Sequence, residues 1–97
     1  MSLFALLVDD DDIYWDLVQE AFRELRALHG VQIARLRDGS EAIDYLLRRE
    51  PYTDAAQHPW PDLVLLDQRM TRVDGIDTLA KLRALGAAQT VSICLMT

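Results

Sequence analysis

Residues Leu3 to Phe22 read LFALLVDDDDIYWDLVQEAF, and two periodicities meet inside this stretch. Leu3–Val8 is an unbroken apolar run, the pattern of a strand buried on both faces. From about Asp12 the spacing changes. Tyr14, Leu17, Val18, Ala21, Phe22, Leu25 and Leu28 recur at helical intervals, and Gly30 supplies a C-terminal stop. Between strand and helix stand four aspartates, Asp9 to Asp12. A buried strand followed at once by an amphipathic helix predicts the first half of a βαβ unit.

The same alternation continues to the end. Val31–Leu36 reads as a second strand, and Asp38-Gly39-Ser40 turns into a helix carrying Ala42, Ile43, Leu46 and Leu47, with Ser40 as N-cap. Residues 50–61, EPYTDAAQHPWP, hold all three prolines and form the longest loop. Leu63–Leu66 is a third strand. Asp74-Gly75 opens a helix through Ile76, Leu79, Leu82 and Leu85 that ends near Gly86, and VSICLM with Thr97 makes a fourth strand. The order β-α-β-α-β-α-β predicts an α/β fold, a parallel sheet with right-handed crossovers and helices on both faces. In such sheets sites form beyond the carboxyl ends of the strands. Asp9 and Asp10 follow the first strand, Asp67 the third and Thr97 the fourth, so four polar groups converge on one edge.

Composition narrows the function classes. Ninety-seven residues suit one domain, and an apolar fraction of 51% is ample for a core. Sixteen acidic against ten basic residues give net −6, which disfavours nucleic acid as a direct partner. Cys94 is the single cysteine, which excludes an internal disulfide and a cysteine metal cluster. No apolar run approaches the roughly 20 residues of a membrane span. The acidic start lacks the basic region of a signal peptide, so a cytoplasmic location without membrane contact is expected.

Clustered carboxylates repel one another and raise their own pKa values unless a cation joins them. Oxygen ligands with no His or Cys nearby suit Mg2+ or Mn2+, ions that also accept a phosphate oxygen. A carboxylate beside such an ion can attack phosphorus and become an aspartyl phosphate, and the Thr97 hydroxyl can bond a phosphoryl oxygen.

LLVDDDD with Asp9 and Asp10, LLDQRMTRVDG with Asp67, and ICLMT ending in Thr97 resemble the receiver domain of bacterial response regulators. RDGSEAIDYLL resembles that family's passage from second strand to second helix. The resemblance covers essentially all of 1–97 and implies a flavodoxin-like doubly wound sheet of strand order 2-1-3-4. It implies a two-component signalling module rather than an enzyme, taking phosphate from a histidine kinase. Asp67 would be the phospho-acceptor and Thr97 the switch hydroxyl. Asp10 would bind Mg2+ directly with Asp67, Asp9 would help through water, and the backbone carbonyl of Arg69 would complete the protein ligands. The long 50–61 loop resembles stand-alone receivers that serve phytochrome-type histidine kinases.

Two departures stand out. Thr71 occupies the place of the family's proline after Met70. The family's fourth helix, its fifth strand bearing a phosphate-binding lysine, and its fifth helix have no counterpart within 1–97, so the domain is expected to be C-terminally incomplete. Lys81, the only lysine, lies in the third helix and cannot substitute. An uncovered fourth strand and first helix, around Leu17, Phe22 and Leu25, would favour a homodimer through either surface. Two alternatives compete: a haloacid-dehalogenase-type phosphatase using Asp9 and Asp11, and a non-phosphorylated pseudo-receiver that only binds. Asp11 or Asp12 is expected to cap the first helix, Cys94 to be a small core residue, His29 to answer a helix dipole, His58 to be solvated, and Trp15 to lie off the helical stripe.

Overall fold

A computed structural model of the chain describes residues 3–70, 74–86 and 91–96. The elements are β1 (Leu3–Val8), α1 (Asp12–His29), β2 (Val31–Leu36), α2 (Gly39–Leu46), β3 (Leu63–Asp67), α3 (Gly75–Ala84) and β4 (Ser92–Met96). All strand pairs are parallel, and the order is β2-β1-β3-β4, as the resemblance implied. The chain steps from β1 outward to β2, then crosses back to β3 on the other side. That reversal places a crevice between the carboxyl ends of β1 and β3.

Strand alternation sorts the core into two layers. Leu6, Val8, Leu36, Val64 and Leu66 face Ala42, Ile43, Tyr45 and Leu46 of α2 and Leu82 of α3. Ala5, Leu7 and Ile33 face the other way, where Trp15, Val18 and Phe22 of α1 pack with Leu63, Leu65 and Met96. Burying one such aliphatic side chain contributes about 1.5–3 kcal/mol.

Several local expectations need correction. The N-cap of α2 is Asp38, not Ser40: Asp38 has extended backbone and its carboxylate accepts the Glu41 amide at 3.0 Å. Glu41 reaches back to the Arg37 amide at 2.8 Å, so Ser40 already lies in the first turn. Trp15 belongs to the sheet-facing side of α1, whereas Leu17 and Leu28 are 64% and 67% exposed. Apolar residues wrap more of α1 than one sheet can cover, and the half-buried positions are 15, 18 and 22. In α3, Ile76 and Leu85 are exposed and Thr78 and Leu82 are buried. Cys94 is exposed rather than buried, because it points to the α1 side of β4 while α1 lies over β2. His58 is half-buried, edge-on to Tyr45 and Tyr52 with ring centroids 5.9 and 5.1 Å away, and its carbonyl accepts a hydrogen bond from Arg48. No described helix is long and apolar enough to cross a membrane.

Candidate functional site

The register builds the site. Val8 of β1 lies opposite Leu66 of β3, so the next residues, Asp9 and Asp67, come side by side at the crevice. Asp10 completes the group. Asp9, Asp10 and Asp67 each offer a carboxylate oxygen, all within 4.8 Å of one another. Asp9 is buried, the other two are half-buried, and the cleft around them, about 330 Å³, is lined also by Asp11, Tyr14, Arg69 and Met96. A larger groove of about 710 Å³ runs along the outer side of β2, away from this chemistry, and Glu41 is its one carboxylate.

Hydrogen bonds divide the four aspartates by task. The Asp9 amide donates to the Leu36 carbonyl at 3.0 Å, tying the end of β1 to the end of β2. Its carboxylate accepts the Asp11 amide at 2.9 Å. The Asp11 carboxylate caps α1, accepting from Ile13 at 2.9 Å and Tyr14 at 3.1 Å. Asp12 meets Arg35 at 2.6 Å and Arg37 at 3.1 Å. Those two guanidinium groups hold its carboxyl below the usual range, the Arg35 hydrogen bond first and the Arg37 charge second. Asp9 and Asp10 offer carboxylate oxygens beside Asp67, whereas Asp11, at the margin of the cleft, spends its carboxylate on the helix cap. The phosphatase alternative needs Asp11 there as well, and its carboxylate is engaged at the helix start.

Asp67 closes β3, and one of its oxygens accepts the Arg69 amide at 3.2 Å. Thr97 and Thr71 lie outside the described residues; Met96, the chain neighbour of Thr97, is opposite Asp67 across β3–β4. The N-terminus of α3 docks on the same strand end. The Ile76 amide donates to the Gln68 side-chain carbonyl at 2.9 Å. A Cβ on Gly75 would sit 2.7 Å from the Asp67 carbonyl oxygen and 3.0 Å from Gln68 Cα. Both are backbone atoms that cannot swing aside. Gly75→Ala is therefore expected to cost about 1–3 kcal/mol, as overpacking does, and to shift the Asp67 turn. A lowered urea midpoint checks this; an unchanged one would show that the contact relaxes freely.

Burial, first, raises the Asp9 carboxyl above its ordinary value; the Asp11 amide opposes this, and the charges of Asp67, Asp11 and Asp10 add to it. The folded state then holds this proton more tightly than the unfolded chain. Stability at this residue falls as pH rises from below the unfolded value through the raised folded one. Asp9→Asn keeps the acceptor for the Asp11 amide and removes the charge. Without metal it is expected to unfold at higher urea than the parent at pH 7, with the advantage shrinking as pH falls and gone below the unfolded pKa. A constant difference across that window would show that Asp9 is not strained by its charge.

The donor set fits a hard divalent cation: three carboxylates, joined by no His or Cys among the described residues, and mutual repulsion for an ion to offset. The comparisons agree in kind. The response regulator receiver domain family matches residues 5–97, and the chain belongs to that family. It is 33% identical over 92 residues to the probable methanogenesis regulatory protein FilR2 of Methanothrix harundinacea, covering 95% of this chain and 56% of that protein. Among solved structures it resembles the phosphorylated cyanobacterial phytochrome response regulator RcpA, with TM-score 0.82, 27% identity, and coverage of 98% of this chain and 64% of that one. For the bacteriophytochrome response regulator RtBRR the values are 0.77, 29%, 100% and 57%. The chain thus spans less than two thirds of the length of each of these relatives.

The sequence does not disclose Gly75 and Tyr14 beside the cleft, or that Gln68, next to Asp67, accepts from the start of α3. The dipeptide Asp74-Gly75 announces a helix start, but nothing in it says that the helix abuts the end of β3.

Proposed function

We propose that this chain is a phospho-acceptor module that takes a phosphoryl group from a histidine kinase onto Asp67 with the help of Mg2+. The observation that carries the reading is the convergence of Asp9, Asp10 and Asp67 within 4.8 Å at the switch point of the sheet. Asp10, Asp67 and the Arg69 backbone carbonyl would hold the ion, with Asp9 assisting through water. When bound, Mg2+ supplies positive charge against the carboxylates and the phosphoryl oxygens.

The chain's own residues do the rest. The Arg69 amide orients the Asp67 carboxylate by holding one oxygen, and the other attacks phosphorus. The bond from phosphorus to the donor imidazole nitrogen breaks, its electron pair stays on that nitrogen, and the imidazole takes a proton from solvent. The Thr97 hydroxyl is assigned to a phosphoryl oxygen. The likeness to RcpA and RtBRR supports a phytochrome-type kinase as donor. A second copy would meet either the exposed side of α1 or the margin of β4, and the mass in solution would report it.

Acetyl phosphate with Mg2+ tests the function. One hydroxylamine-sensitive phosphoryl group per chain is expected. No modification would favour the pseudo-receiver, and turnover of a generic phosphomonoester would favour a phosphatase.

A further inference from the structure

Arg35 is an unusual residue for the inner side of an edge strand. It shares the face of β2 that carries Ile33 towards α1, and its side chain is only 8% exposed. Its Nε is buried with no hydrogen-bond partner among the described residues, so the fold accepts a real desolvation cost to keep it there. An inward charge blunts an edge strand against pairing. That role needs no partner on another element, yet the Arg35 guanidinium sits 2.6 Å from Asp12 in the first turn of α1.

The segment that carries the acidic group is thereby anchored at both ends to β2. Asp9 hangs by its amide from the Leu36 carbonyl, and Asp12 is held by Arg35, with Arg37 bracing it from solvent. Asp10 lies between the anchors. Its carboxylate direction depends on where α1 starts, and Arg35 ties the first turn of α1 to β2 beside the Asp11 cap. We propose that Arg35 is a positioning residue for the cation site, acting through Asp12 to hold the Asp9–Asp12 turn in ligating geometry. This rests on the reading of the cleft as a Mg2+ site.

Charge and position predict opposite signs, which makes the proposal testable. Arg35 is a cation near an acidic cluster, so charge alone says that removing it tightens Mg2+ binding. Positioning says that removing it loosens binding, as loss of an outer-sphere partner typically does. In calorimetric titration with MgCl2, Arg35→Met is expected to weaken affinity about tenfold. Arg37→Met removes the same charge from an exposed side chain that only braces Asp12, and is expected to weaken affinity clearly less than Arg35→Met does; an equal or larger loss would overturn Arg35 as the anchor. Arg35→Met binding Mg2+ as tightly as the parent would overturn the proposal. Should Arg35→Met fail to fold, Asp12→Asn, a change at an exposed position, carries the test in the metal-free protein. Its Asp11, Ile13 and Tyr14 amides should exchange with solvent faster than in the parent, and unaltered exchange would overturn the clamp. A parent protein that binds no Mg2+ would instead overturn the metal reading itself, whatever the variants do.

Discussion

Asp67→Asn is expected to abolish labelling by acetyl phosphate and Mg2+ while leaving the fold unchanged. The amide matches the carboxylate in shape but lacks the nucleophilic oxygen, so the loss should be complete rather than partial. The fold survives because Asp67 lies at the last position of β3 with half-buried side chain, and the Asn oxygen still accepts the Arg69 amide. Removing one of three facing carboxylates also relieves repulsion on Asp9, so the metal-free variant should unfold no earlier than the parent. Mass spectrometry before and after hydroxylamine reads the label, and a urea titration reads the fold. A labelled Asn variant would move the acceptor elsewhere, with Asp9 and Asp10 the next residues to replace.

The fold was legible because each strand announces itself twice, by an apolar run and by the turn residues that bound it. Leu3–Val8, Val31–Leu36 and the region after Pro61 are placed where pattern puts them, and alternation of strand and helix leaves few topologies. Which face of α1 is buried was not legible. Tyr14, Trp15, Leu17, Val18, Phe22 and Leu25 spread apolar surface around most of the helix, so periodicity alone cannot choose between the set containing Leu17 and the set containing Trp15. The sheet chooses: α1 lies over β2, and residues 15, 18 and 22 point there.

The site was legible to a similar depth. A carboxylate at the end of an apolar strand is conspicuous, and the strand order then brings Asp67 beside Asp9. The partition of four identical aspartates into cleft, cap and clamp was only half visible. Asp11 as a cap follows from its place before the helix. Asp12 as the partner of Arg35 does not, because a charged residue on an edge strand reads as solvated until the burial of its side chain is seen. Long-range pairing between residues 12 and 35 leaves no local trace in sequence.

That partition sets up the sharpest comparison among the acidic residues. Asp10→Ala and Asp12→Ala remove the same group from positions two residues apart, and net charge changes identically. A nonspecific acidic patch would therefore lose Mg2+ affinity equally in both. The geometry says otherwise. Asp10 faces Asp9 and Asp67 in a ligand set no wider than 4.8 Å, whereas the Asp12 oxygen is occupied by Arg35 and Arg37. Loss of Asp10 would leave Asp67 as the one carboxylate on the ion, with Asp9 acting through water, and the expected fall in affinity is on the order of a hundredfold or more, at or beyond the top of the outer-sphere range. Loss of Asp12 acts only through the turn it steadies, at about tenfold or less. Calorimetric titration with Mg2+ on both variants decides the matter, and because the ion binds the folded state, the same ranking should appear in how far Mg2+ raises each unfolding midpoint. At about a hundredfold excess over the dissociation constant the parent gains about 2.7 kcal/mol; Asp10→Ala should gain almost nothing at that concentration, and Asp12→Ala about half of it or more. Equal losses in the two variants would return the whole aspartate run to helix capping and leave the cleft without a metal site.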